Sequence, residues 1–313
     1  MRRVPVLLAL LAAVVLGGCG LGSGEDQPGG VTLTVSRDFG DRELGRAQRD
    51  SVPGGETVMR LLERSFDVQT RFGGGFVQEI NGVAGGRLGG RPVDWFYYVN
   101  GVEAEIGAAQ RRVNPGDRVW WDHHDWGDAA RIPAVVGSFP EPFLSGVDGK
   151  RLPVRLDCAS PRDDTCDEVG KRLEVADVTK VSKGLLGGSA GEGVLRIVIG
   201  AWPAIRRDPA VQLIERGPAA SGVYARMDPA GRRLTLLEAD GTVARTLGAG
   251  AGLVAATRAG GRQPTWVVTG TDAVGVAAAA GELDETALRD RFAIAVEDGR
   301  PEALPVRTAP EGP

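Results

Sequence analysis

The chain has 313 residues, 42% hydrophobic and 25% charged, which is room for two ordinary domains with buried cores. Its formal charge is −4, and no Lys/Arg-rich stripe offsets that balance, which excludes nucleic acid as the expected partner. Only Lys150, Lys171, Lys180 and Lys183 interrupt an otherwise all-arginine basic set, a hint of GC-rich coding rather than of function.

The elements begin with a leader. Arg2 and Arg3 precede an apolar run from Val4 to Leu16, broken only by Pro5, and Leu16-Gly17-Gly18-Cys19 follows. That run is too short to span a bilayer as a mature helix. The four residues ending in Cys19 resemble a bacterial lipobox, which implies cleavage after residue 18 and diacylglycerol on the Cys19 thiol. The expected mature chain is a lipoprotein held by its lipid on the extracytoplasmic face of the cell membrane, with a net charge near −6 once Arg2 and Arg3 are lost. Residues 19–30, rich in Gly, Ser, Pro and acids, read as a flexible tether. In that oxidising setting the two remaining cysteines, Cys158 and Cys166, are expected to pair as a disulfide; without a nearby His or further Cys they make a poor zinc site.

Residues 31–127 read as a small α+β domain. Val31 to Val35 alternates like a half-buried strand, and a polar stretch follows to Gly55. Val58, Leu61, Leu62 and Phe66 fall at helical spacing behind Thr57, a plausible N-cap. Phe76 to Ile80 reads as a strand, and glycines to Gly90 as turns. Asp94 to Val99 is an aromatic strand, Asn100-Gly101 suits a type I′ hairpin, and Val102 to Ile106 returns. Asn114 to Asp117 turns again before the strand at Arg118 to Trp121. The run Trp95-Phe96-Tyr97-Tyr98-Val99-Asn100-Gly101, followed by Val113-Asn114-Pro115-Gly116-Asp117-Arg118-Val119-Trp120-Trp121, resembles the transcobalamin-like C-terminal domain family over about residues 31–126. The helix start Glu56-Thr57-Val58-Met59 also fits. The resemblance implies a β-grasp-like fold found in extracytoplasmic bacterial proteins. In vertebrate cobalamin carriers the related domain closes over the vitamin, so the resemblance suggests a corrinoid as ligand.

Residues 128–149, with Pro133, Pro140 and Pro142, read as an extended Pro/Gly-rich connection. Residues 150–307 alternate strands and helices, as an α/β sandwich with a mixed sheet does. Leu152, Val154 and Leu156 alternate; a helix with Cys166, Val169 and Leu173 as its buried stripe follows; Val194 to Ile199 reads as a strand buried on both faces, in which Arg196 needs a partner. A helix is predicted from about Pro203 to Glu215, then a hairpin of Val223–Met227 with Leu234–Leu237, a strand at Thr265–Thr269, a helix at 273–283 capped by Thr271 or Asp272, and a strand at Phe292–Val296. Thr308 to Pro313 are expected to be loose.

The residues singled out for binding are Trp95, Phe96, Tyr97, Tyr98, Asn100, Trp120, Trp121, His123, His124 and Trp126. Four of the six tryptophans fall between Trp95 and Trp126. Alternation sends one set of rings into a core, and the other set is expected to meet solvent, a ligand or an envelope partner. His123 and His124 lie between two aspartates, but neighbours on a strand point to opposite faces and cannot easily share one metal ion. No metal or cofactor is therefore expected. Gly187-Gly188-Ser189-Ala190-Gly191 matches G-x-S-x-G without the strand–turn–helix context of a nucleophile elbow, and reads as a loop. Gly250-Ala251-Gly252-Leu253-Val254-Ala255 imitates a dinucleotide fingerprint but lacks a clear preceding strand, and reads as a glycine turn. Thr269 to Asp272 reads as a helix cap. No nucleophile–base pair emerges. The expectation is a non-enzymatic, membrane-tethered binding or accessory lipoprotein. A structural envelope protein, or an enzyme in the second half, are the alternatives.

Overall fold

A computed structural model describes residues 24–160, 164–187, 193–259 and 262–307. Cys19, the leader, Ser189 and residues 308–313 lie outside the described residues. The chain is mixed α/β and mostly strand.

The first half runs β1 (Gly24–Arg37), β2 (Arg42–Gly54), α1 (Val58–Glu63), β3 (Val68–Arg71), β4 (Phe76–Ile80), β5 (Val83–Ala84), β6 (Gly86–Leu88), β7 (Arg91–Val99), β8 (Val102–Glu103) and β9 (Arg118–Asp125). Its main sheet has the order β2-β1-β9-β7-β6, with β8 on β7. The central pair β1/β9 is parallel, with Thr32 opposite Arg118, and the rest is antiparallel. Helix α1 forms where expected: the Thr57 hydroxyl accepts the Arg60 amide, and Val58, Leu61 and Leu62 are buried. They pack with Leu33, Val35, Trp95 and Trp121 in one core, closed by the small sheet β3–β5.

The structure departs from the expected tether. Residues 24–30 are not a tether: they open β1 and pair with β2, Gly24 lying opposite Gly54. The polar stretch before Gly55 is itself a strand. β2 is an edge strand whose outer side faces solvent, so its residues are polar and alternate only weakly in burial.

The second half runs β10 (Val154–Cys158), α2 (Asp164–Val175), β11 (Val181–Leu185), β12 (Leu195–Ala201), α3 (Trp202–Ile205), α4 (Pro209–Glu215), α5 (Pro218–Ser221), β13 (Ala225–Met227), β14 (Leu234–Leu237), β15 (Val243–Leu247), β16 (Gly252–Thr257), β17 (Thr265–Gly270), α6 (Ala273–Gly281), α7 (Glu285–Leu288), β18 (Ala293–Glu297) and β19 (Arg300–Leu304). The sheet order is β11-β10-β12-β17-β16-β18-β19, with β11, β10, β12 and β17 mutually parallel and the far side antiparallel. Helix α2 carries Cys166, Val169 and Leu173 as its buried stripe. Arg196 finds its partners in Asp157, 2.6 Å away, and Asp208, also 2.6 Å away. The single helix predicted near 203–215 is two helices, because Pro209 lacks an amide donor and starts a new one behind the Asp208 cap. Helix α6 presses onto the sheet through glycines: a Cβ on Gly275 would stand 2.1 Å from the Ala251 carbonyl.

Residues 128–149 differ most from expectation. They are a buried wedge rather than an extended connection. Val135, Val136, Phe139 and Phe143 are almost fully enclosed, Ala134 bridges Val102, and Phe143 meets Trp266 edge-on at 5.0 Å. Proline and glycine set the path of this segment, while its apolar side chains fill space between the halves.

Candidate functional site

Strand alternation places the candidate rings on two faces, as expected. Trp95, Tyr97 and Trp121 point into the core with α1, where Tyr97 stacks on Trp121 at 4.8 Å. The Tyr97 hydroxyl donates to the Ile106 carbonyl, and burial pushes it up to about 12. Phe96, Tyr98, Trp120 and His124 point the other way. That second face does not meet solvent. Phe39 and Phe292 close over it, with Tyr224 beside them, so Tyr98 is 0% and Trp120 2% exposed. The exposed aromatic surface expected from the sequence is thus an internal interface, because the second half of the same chain supplies the partner. Trp126 and Phe96 remain half-buried at its margin, and the Trp126 indole donates to Asp94.

A buried polar knot within the first half backs this face. Asp122 accepts the Ser36 hydroxyl at 2.5 Å, the Phe39 amide at 3.0 Å and the Gly40 amide at 2.9 Å. The His124 Nδ1 lies 2.9 Å from the same carboxylate, and the Trp120 indole donates to Ser36. Such a carboxylate is well satisfied, which is what its complete burial requires. His123 points to the opposite face. Its Nε2 lies 3.1 Å from the Ala84 carbonyl, its ring packs on Trp95, and burial lowers its basicity. The two histidines therefore do not converge. Among the described residues no cluster of three or more His, Cys, Asp or Glu could hold a metal ion.

Asn100 and the Pro-Gly-Asp turn have a structural role. Asn100 takes a positive φ of 54° in its turn, and its amide donates to Asp117 and to the Gly146 carbonyl, both at 2.9 Å. Its carbonyl accepts the Arg118 amide, while Asp117 accepts the Asn114 amide at 2.8 Å. The two turns are thereby tied to each other and to the wedge. Nearby, Glu141 accepts both the amide and the hydroxyl of Ser145. Burial pushes the Asp117 and Glu141 carboxyls up.

The other sequence candidates resolve in the second half. Cys158 and Cys166 are bonded, joining the end of β10 to the first turn of α2. The fingerprint-like glycines lead into β16, where Gly252 lies so close to Gly275 that a Cβ there would meet its carbonyl at 2.4 Å. Asp272 caps α6 through the Gly275 amide and also accepts Gly250, and the Thr269 and Thr271 hydroxyls donate to backbone carbonyls. These groups are occupied within the fold.

What sequence reasoning missed is a cleft of about 200 Å³ where the halves meet. Val99, Val102 and Val147 give it an apolar floor, and Glu103, Arg111 and Arg258 line its sides. Glu103 is 7% exposed and accepts Arg131 Nε at 3.4 Å; burial pushes its carboxyl up despite that arginine. Arg258 donates to Glu105 at 3.1 Å, and Arg111 pairs with Asp148. Charges of both signs thus surround an apolar base. No sequence spacing links residues 99–111, 147–148 and 258, so only the tertiary fold brings them together.

No curated protein matches the chain. A solved structure from Ruminococcus gnavus, of a protein described there only as a proposed metal-binding protein, aligns with 31% of this chain and 97% of its own at 17% identity, with a TM-score of 0.24. Residues 55–125, which hold α1, both aromatic strands and the two linked turns, match a family described as a domain of unknown function, DUF4430.

Proposed function

We propose that the chain is a lipid-tethered, extracytoplasmic binding or accessory protein without catalytic activity, whose ligand enters the cleft between its halves. The observation that carries this reading is the cleft itself, a concave site where Val99, Val102 and Val147 lie among three acids and two arginines, a lining suited to a molecule that carries both charges. Its volume lies below the roughly 300–1,000 Å³ of pockets for drug-sized ligands, so the closed chain suits a small polar or zwitterionic molecule. The resemblance to the transcobalamin-like C-terminal family supports a β-grasp-like first half and keeps a corrinoid as the larger candidate. A corrinoid would need the covered face of Tyr98 and Trp120, and hence a separation of the halves. The lipobox-like run before Cys19 supports the tether.

Native mass spectrometry of the purified chain tests the reading. The expected result is diacylglycerol on Cys19 and a retained small molecule that is absent from Ala104→Trp, which fills the cleft. A chain with neither lipid nor retained mass would sink the proposal. Incubation with cobalamin followed by gel filtration decides the corrinoid separately, since colourless protein removes it.

A further inference from the structure

The turn joining β3 to β4 presents apolar surface that no part of the described fold covers. Phe72 is 88% exposed, and its φ of 53° is a conformation that a bulky side chain rarely adopts. Gly73 and Gly74 continue the positive-φ run, and a Cβ on either would meet nothing within 4 Å. Phe76, which pairs with Arg71 across the hairpin, is 36% exposed. Ile106 is 47% exposed, and the Gly107 beside it sits against the Gly75 carbonyl. The backbone next to Ile106 therefore meets the base of the turn that carries Phe72 and Phe76. Exposed apolar residues scattered singly need no explanation, but a grouped set on a projecting turn does.

Arg60, Arg71 and Arg112 are exposed around this end of the molecule, and no ion pair among the described residues engages them. Their neighbourhood follows from direct contacts: the Val58 amide that begins α1 bonds the Arg111 carbonyl, and Thr57 bridges Arg112. The same contacts locate the tip relative to the start of β1. Gly24 pairs with Gly54, the chain turns into α1 beside Arg111 and Arg112, and Gly107 of that same loop touches Gly75.

We propose that this tip is a membrane-facing finger, in which Phe72, Phe76 and Ile106 enter the interfacial layer of an anionic bilayer and the three arginines meet its phosphates. The proposal rests on the lipid-tether reading for its choice of occupant. Five peptide steps from Cys19 to Gly24 span at most roughly 18 Å, so a lipid on Cys19 would hold this end of the first half close to the bilayer surface. Aromatic and aliphatic side chains flanked by cations suit that surface, where each arginine strengthens binding to anionic lipid by about fivefold. The finger would add orientation to a lipid anchor that by itself leaves the body free to rotate.

The test uses the full mature chain with Cys19→Ser, so that the finger is read without the anchor. It is sedimented at millimolar lipid with phosphatidylglycerol vesicles and, separately, with phosphatidylcholine vesicles. The expected result is binding to phosphatidylglycerol, reduced about tenfold or more in Phe72→Ser/Phe76→Ser, with an unchanged melting curve showing that the variant is folded. Arg60→Gln/Arg71→Gln/Arg112→Gln should abolish the preference for the anionic vesicle. No binding by the parent chain, or equal binding by the double phenylalanine variant, overturns the finger. Equal binding to both vesicles overturns the role of the arginines. Mass spectrometry of native chain decides the anchor independently: vesicle binding with an unmodified Cys19 removes the tether and keeps the finger, whereas a lipidated Cys19 with no vesicle binding does the reverse.

Discussion

Two groups of aromatic residues on the first half meet opposite fates. On the strands β7 and β9, Tyr98 and Trp120 are enclosed by Phe39 and Phe292 and backed by the Asp122 knot. On the β3–β4 turn, Phe72 stands 88% exposed. The first group is rich in tryptophan and tyrosine, and the sequence points to it as the binding surface. The second is two phenylalanines among glycines, and its pattern reads only as a turn before the strand at Phe76. Density of aromatic residues thus marks where a chain binds itself as readily as where it binds another molecule. The uncovered ring is the more informative feature.

The comparison can be broken most directly at Phe292. Phe292→Ala should destabilise the chain by about 3–5 kcal/mol, the usual cost of deleting a large core ring, read from the shift of the urea unfolding curve. A shift below about 1 kcal/mol would mean that the covered face is a loose contact and that the two halves are independent. A second lever is pH, at the base of the same junction. Burial raises the folded-state pKa of Glu141 above its unfolded value, so the protonated form favours folding and that contribution is lost as pH rises from the ordinary glutamate range through the raised value. Glu141→Gln should therefore flatten the decline in stability over that window, measured by melting at a series of pH values. An unchanged slope would show that the Ser145 bonds fully offset burial. The smallest expected effect is at the open ring: Phe72→Ser should leave stability within about 0.5 kcal/mol of the parent, since no packing is lost. A larger loss would place Phe72 inside the fold's energetics and out of reach of a partner.

Much of the architecture is legible from local pattern. Helix α2 with its stripe of Cys166, Val169 and Leu173, the Thr57 cap and the turn at Asn100-Gly101 follow from spacing and capping chemistry, and the disulfide from the cysteine count and the expected compartment. An edge strand such as β2 carries a weak pattern because one side needs no apolar residue. The wedge at 128–149 is hidden in the sequence for a different reason. Its prolines and glycines read as a linker, yet Val135, Val136, Phe139 and Phe143 carry the burial. The covering of Tyr98 by Phe292 and the gathering of Val102, Val147 and Arg258 around the cleft join residues far apart in sequence, and hydrophobic periodicity carries no information about such pairs.

The parallel pairing of β1 with β9 also sets an order of events. Thr32 cannot meet Arg118 until the whole intervening chain exists, so before then the opening strand has only β2 to hold it. A two-stranded ribbon is marginal in water, and closing a long loop delays the contacts that reward it. A chain that emerges N-terminus first would thus carry an unfinished sheet, with Leu33 and Val35 sheltered by α1 but not yet by Trp121, for most of the time the first half takes to appear. Assembly of this half is expected to be late and abrupt, triggered by arrival of its last strand.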